Sequence, residues 1–258
     1  MAVERIETVV AEFDVTQLRE RRVDPEPVTL VQFPLIWGRN VSPFCLKLEA
    51  WLKLASISYE IRPSIARDKA PKGKLPYILD GGTAIGDSSL IIRHLKRSRG
   101  IDPDAGLDGR EQAEAVALQR LLEEHLYFVM VYGRWIDPEG YAAVGEAFFA
   151  SLPLPLRPVA RAATRRRIRR MLQLQGVGRH SAAEVYEMGR EDLRALADYL
   201  GDKPFFLGDR LTSIDAVAFG FLANIMLVPV ENELKRAALD YPNLLAWVES
   251  MEAGLTEG

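Results

Sequence analysis

Two short stretches of the chain carry side chains whose type and spacing could support chemistry. In Asn40-Val41-Ser42-Pro43-Phe44-Cys45 the only cysteine stands three residues after a serine that precedes a proline. Ser42 suits a helix N-cap and Pro43 the first helical position, so the unpaired amides of the first turn would face whatever lies at Ser42. A position of that kind stabilises a thiolate. Either Ser42 or Cys45 could therefore be the chemical group. A third reading is inert: an isolated helical cysteine is most often a small buried apolar residue. The second stretch, Gly86-Asp87-Ser88-Ser89-Leu90-Ile91, reads as the start of another helix, where free amides and the helix dipole favour an anion. A plain N-cap at Ser88, with Asp87 favourable beside it, explains the same residues without a ligand.

Other chemistries find little support. His94, His125 and His180 are scattered, with no His/Cys spacing of a metal site, so no metal is expected. Gly176-Val177-Gly178 follows a glutamine-rich helical stretch rather than a strand, which argues against a phosphate loop. The 258 residues carry a net charge of −3, so no nucleic-acid partner is expected. One cysteine excludes an intrachain disulfide and suits a reducing compartment. The N-terminus lacks the basic-then-apolar order of a signal peptide, and the longest apolar run, 216–230, is short for a membrane span and contains Asn224 and Pro229. The expected location is the cytoplasm.

The elements that must position Ser42 and Asp87 follow from periodicity. After an extension over 1–27, Val28–Phe33 is a β-branched run suited to a buried strand, and Phe44, Leu48, Trp51, Leu52 and Ala55 share one face of a helix. Residues 56–62 alternate as a strand. Residues 74–85 read as two short strands joined at Asp80-Gly81-Gly82, and a helix from Ser88 to Arg97 closes the unit. The order is β-α-β, then β-β-α, which is that of a thioredoxin fold. A Gly- and Asp-rich linker over 98–108 leads into 109–254, where no strand is convincing. Ser181-Ala182-Ala183-Glu184 and Thr212-Ser213-Ile214-Asp215 are capping boxes there, the second opening a helix apolar enough to be central.

Taken together, "SPFC", "GKLPYI", "GDSSLI" and "LTSID", in this order and spacing, resemble the glutathione S-transferase superfamily. "SPFCLKLEAWLKLASISYE", "GVGRHSAAEVYEMG", "LGDKPFFLGDRLTSIDAVAFG" and "YPNLLAW" resemble its failed-axon-connections and metaxin-like branch. The resemblance covers roughly 28–250. It implies an α/β thioredoxin-like domain over 28–97 that binds glutathione, followed by an all-α bundle. Ser88 would hold the γ-glutamyl carboxylate, with Asp87 toward the ammonium group, although a longer Glu or Gln often stands at that place. Pro76 would follow a cis peptide bond, leaving the Leu75 backbone to pair with the cysteinyl part of glutathione. Ser42 would assist ionisation of the thiol for conjugation to a small electrophile. Trp37, Arg39, Phe128 and Tyr132 would line the second-substrate pocket. A homodimer is the family's expectation. The competing classes are a Cys45-dependent thiol-redox enzyme, which lacks a cysteine at position 42, and a non-catalytic binding or adaptor module.

One run stands apart. Arg157 to Arg179 contains no acid, and Arg165, Arg166, Arg167, Arg169 and Arg170 crowd into six positions. Like charges one turn apart repel. A surface helix that is solvated or paired with the chain's own acids is the expectation, ahead of weak contact with an anionic surface.

Overall fold

The computed structural model describes residues 26–66, 70–150 and 152–256, so the expected extension lies outside the described residues except for Glu26 and Pro27. Strand β1 (Val28–Gln32) is followed by helix α1 (Pro43–Leu54) and by β2 (Tyr59–Pro63), which pairs with β1 in parallel. Strands β3 (Tyr77–Asp80) and β4 (Thr83–Gly86) form a hairpin, and β3 runs antiparallel to β1. The sheet order is therefore β2-β1-β3-β4, a thioredoxin-like sheet. Leu30 and Ile78 face each other in register and both are fully buried, which fixes the β1–β3 pairing by its apolar face. The hairpin turns on Gly81 and Gly82, with φ of 53° and 81°, a two-residue turn that side chains with a Cβ adopt at a cost. Of the strand read over 56–62, only Tyr59 onward is β2, and the expected alternation is absent: Tyr59 is half-buried and Glu60 to Pro63 are all exposed, because β2 is the edge strand.

Helix α2 (Ser88–Arg99) closes this unit. Helix α3 (Gly109–Arg120) opens on a third capping box, Asp108 with Glu111. A π-helical stretch, Leu121–Leu126, joins it to α4 (Tyr127–Trp135). The helical unit continues through α5 (Pro138–Ala147), α6 (Arg157–Gln175), α7 (Ala182–Leu200), α8 (Ser213–Met226), α9 (Glu233–Leu239) and α10 (Pro242–Thr256).

Helix α8 is central, with every residue from Ile214 to Met226 buried. Its capping box draws Asp215 fully inside, where the carboxylate accepts from the Phe206 and Thr212 amides, each at 2.9 Å, and from the Thr212 hydroxyl at 3.0 Å. Burial pushes this carboxyl up to about 6, although those three donors oppose the shift. Gly220 lets α8 lie against α1: a Cβ there would stand 2.7 Å from the Pro43 carbonyl oxygen and 2.8 Å from the Lys47 amide nitrogen. The two units thus meet along the helix whose first turn carries Ser42.

The arginine-rich run is helix α6, anchored by Leu172. Its five crowded arginines divide into two groups. Arg165 turns inward, donating to the Trp135 and Ile136 carbonyls and lying 4.2 Å from the Tyr141 ring centre. Arg166, Arg167, Arg169 and Arg170 are exposed.

Candidate functional site

Ser42 occupies the N-cap position of α1 with extended backbone, φ −93° and ψ 116°, but its side chain caps no helix amide. The reading of Ser42 as the cap is corrected in that respect. Its carbonyl accepts from Cys45 and Leu46, and its own amide is held by Asn40 Oδ1 at 3.1 Å. The hydroxyl instead hydrogen-bonds to the Cys45 thiol one turn on, and Ser42 is half-buried.

Cys45 turns into the interior of the sheet unit. It is fully buried among Val31, Ala70 and Leu75, as its place one turn into the helix leads one to expect. Burial pushes its thiol up to about 11, outweighing smaller opposing contributions from the Ser42 side chain and the Phe33 backbone. At neutral pH such a thiol stays protonated, and its sulfur lies out of reach of solvent.

Cys45 and Leu75 share one buried cluster, which sets the first turn of α1 against the loop before β3. In that loop the Leu75–Pro76 bond is cis. A second link joins α1 to the start of α2: Lys47 Nζ donates to Ser89 Oγ at 2.9 Å and to Glu123 Oε1 at 2.5 Å, with Lys47 and Glu123 both buried. Gln119 completes the cluster through Ser89 Oγ and Glu123 Oε2. Burial lowers the Lys47 pKa, and Glu123 opposes that effect.

At the start of α2 the cap is Asp87, not Ser88. Asp87 Oδ1 accepts from the Ser89 and Leu90 amides at 3.1 Å each, and its φ of 83° is rare for a residue with a Cβ. Asp87 is exposed while Ser88, the first helical residue, is buried. This twelve-residue helix follows directly on β4, whose Gly86 pairs with Tyr77 next to the cis-proline, and Lys47 ties its first turn to α1.

Aromatic rings wall this corner. Phe44 meets Tyr127 with ring centres 5.0 Å apart and Phe221 at 5.3 Å, and Tyr127 meets Phe128 at 5.1 Å. Tyr132, one turn further along α4, packs on Tyr186, whose hydroxyl donates to Asp137. Ile36 and Val41 pack with this group. Trp37 and Arg39 do not join it as read: Trp37 is exposed with φ of 54°, and Arg39 Nη2 is held by both carboxylate oxygens of Glu252 on α10, at 2.8 and 3.0 Å. Arg39 lines an open cleft with Leu227, Glu249, Glu252, Ala253 and Thr256. Two of the histidines read as isolated have carboxylate partners, His94 with Asp80 and His125 with Asp192.

Sequence reasoning missed Lys47, Ser89, Glu123, Arg134 and Asn224. The signals were present in two cases. Lys47 interrupts an otherwise apolar helix face, and Asn224 interrupts the most apolar helix of the chain. Buried polar residues in such places need partners.

Comparison with known proteins gives two matches to family models, the glutathione S-transferase N-terminal domain over residues 43–140 and the glutathione S-transferase C-terminal domain over 189–251. The chain is 35% identical to the isoprene-epoxide–glutathione S-transferase of Rhodococcus sp. (strain AD45), over 86% of this chain and 96% of that one. It is 33% identical to Failed axon connections of Drosophila melanogaster, over 83% of this chain and 54% of that protein's length. Among solved structures, a glutathione S-transferase from Methylobacillus flagellatus KT with glutathione bound superposes with a TM-score of 0.56 at 15% identity, over 89% of this chain and 98% of that one, a likeness of fold.

Proposed function

The chain belongs to the glutathione S-transferase superfamily, and from that premise we propose that it binds glutathione and joins its sulfur to a small electrophile. The observation that carries this reading is the convergence of three segments: Cys45 and Leu75 lie in one buried cluster, and Lys47 reaches Ser89, which brings the starts of α1 and α2 and the loop before β3 together. The γ-glutamyl carboxylate would lie at the α2 N-terminus near Ser88, where helix amides favour an anion. Asp87 would keep Oδ1 on its own helix and offer its remaining oxygen to the ammonium group. The backbone of Leu75 would pair with the cysteinyl unit. Ser42, whose hydroxyl caps no helix amide, would turn from the Cys45 thiol to donate to the glutathione sulfur and favour its thiolate.

The electrophile would enter between the first turn of α1 and the rings of Phe44, Tyr127 and Phe128, with Tyr132 further along. With an epoxide, the substrate class in the Rhodococcus relative's name, the thiolate attacks carbon, the carbon–oxygen bond breaks, and the alkoxide takes a proton from water. A Cys45 redox reaction is disfavoured by burial and by a thiol held near 11. The reading extends to a cytoplasmic homodimer on family grounds.

Calorimetric titration with millimolar glutathione tests the binding step. Saturable heat that weakens in Ser88→Ala is expected, and a conjugate should appear by mass spectrometry when a small epoxide is added. Absence of heat would leave a non-catalytic module that keeps the fold.

A further inference from the structure

Arg134, near the end of α4, is buried and has no carboxylate within ion-pair distance among the described residues. Its Nη1 donates to the Val41 carbonyl at 2.7 Å, and its Nη2 to the Asn224 carbonyl and, at 3.0 Å, to Asn224 Oδ1. Asn224 on α8 donates in turn to the Asn40 carbonyl at 3.2 Å. Asn40 spans the loop, donating to the Phe33 carbonyl and accepting from the Ser42 amide. The carbonyls of both residues before Ser42 are thus held by side chains of the helical unit.

The charged and titratable surroundings are sparse. On α4 itself Tyr127 is the titratable neighbour, α8 offers the neutral Asn224, and the turn before α9 offers the neutral Asn232. Asp137 is turned toward Tyr186 and the amides of Glu139 and Gly140. Burial pushes the guanidinium down to about 10, so the fold holds this charge at a cost. An apolar side chain of similar volume would avoid that cost, as replacements of buried ions often do. A buried arginine that meets only dipoles keeps its full positive field, and that field acts through a medium of low dielectric.

We propose that Arg134 is a positioning residue for the Ser42 site: its fork fixes the Val41–Ser42 peptide, and its unneutralised charge, one peptide unit from Ser42, favours the thiolate of bound glutathione. The inference rests on the glutathione reading above. It assigns to the helical unit a part of thiol activation that Ser42 alone would otherwise carry.

The test is the ultraviolet absorbance of the glutathione thiolate in the complex, titrated against pH in wild type, Arg134→Lys, Arg134→Gln and Asn224→Ala. Arg134→Gln should raise the thiol pKa by about one unit while glutathione affinity changes less than about threefold. Arg134→Lys, which keeps the charge, should stay near wild type. Wild-type pKa in a folded Arg134→Gln that binds glutathione overturns the inference and leaves the glutathione reading intact. A wild type that takes up no glutathione overturns both. Should Arg134→Gln fail to fold, Asn224→Ala decides: a fall in turnover at unchanged KM, with the thiol pKa kept, supports positioning, and wild-type turnover overturns it.

Discussion

Lys47 and Arg134 are both cations buried where the sheet unit meets the helical unit, and the fold treats them in opposite ways. Lys47 is neutralised by Glu123 at 2.5 Å and steadied by Ser89. Arg134 receives two carbonyls and an amide oxygen, which accept hydrogen bonds without cancelling charge. In a buried ion pair the mutual attraction offsets much of the desolvation, and the field outside the pair is small. A buried cation among dipoles leaves its field intact. The contrast separates a latch between domains from a charge that can act on a neighbouring site. The exposed arginines of α6 are a third condition, in which water and salt screen the field within about 10 Å.

Breaking the latch should give the largest effect. Glu123→Ala leaves Lys47 buried without its partner and should lower unfolding free energy by about 3–5 kcal/mol in urea titrations. Replacing both, as Lys47→Met with Glu123→Leu, should recover most of the loss. A single variant as stable as wild type would mean that Lys47 reaches water once Glu123 is gone.

Next in size is the site beside the unneutralised charge. Ser42→Ala should slow turnover of a small epoxide by roughly ten- to a hundredfold, or about 1.4–2.7 kcal/mol of transition-state stabilisation. Because the Ser42 side chain makes no capping bond, little of this should come from helix fraying, which circular dichroism can check. Cys45→Ala should retain the activity. The reverse pattern would transfer the chemistry to the thiol.

An effect of similar size is expected in alkali. The folded Cys45 thiol ionises near 11, whereas in the unfolded chain it ionises near the ordinary value of 9.0. As pH rises through that interval the unfolded state loses its proton first, so stability present below about 9 declines toward 11. Cys45→Ala should lack this decline, and identical pH–stability curves would show that the thiol is accessible. The smallest effect should come from α6. Reversing Arg166, Arg167, Arg169 and Arg170 to Glu should leave glutathione binding unchanged, and wild type should show little flotation with anionic vesicles at physiological salt. Strong salt-sensitive flotation lost in the reversed variant would make α6 a docking face instead.

Much of the fold was legible because its signals are local. The Gly81-Gly82 turn, the capping boxes at Ser181 and Thr212 and the apolar stripe of α1 each act within a few residues, and all stand in the structure as read. The cap of α2 was misplaced by one residue because Asp87 and Ser88 are both good caps, and the choice depended on which side chain the packing buried. Arg39 was read toward the aromatic wall because loop residues carry no periodicity, and nothing local announced Glu252 on the last helix.

The sequence by itself determined the class of fold, the order of the elements and the first helical residues Pro43 and Ser88, since backbone preference and amphipathic period are written into neighbouring residues. Tertiary structure alone decided what surrounds those starts. Glu123 lies 76 residues from Lys47, Val41 lies 93 from Arg134, and Asn40 lies 184 from Asn224. Whether a buried cation is neutralised depends on contacts at that range, because the electrostatic energy is set by distance in space and by exclusion of water, neither of which a single chain position encodes.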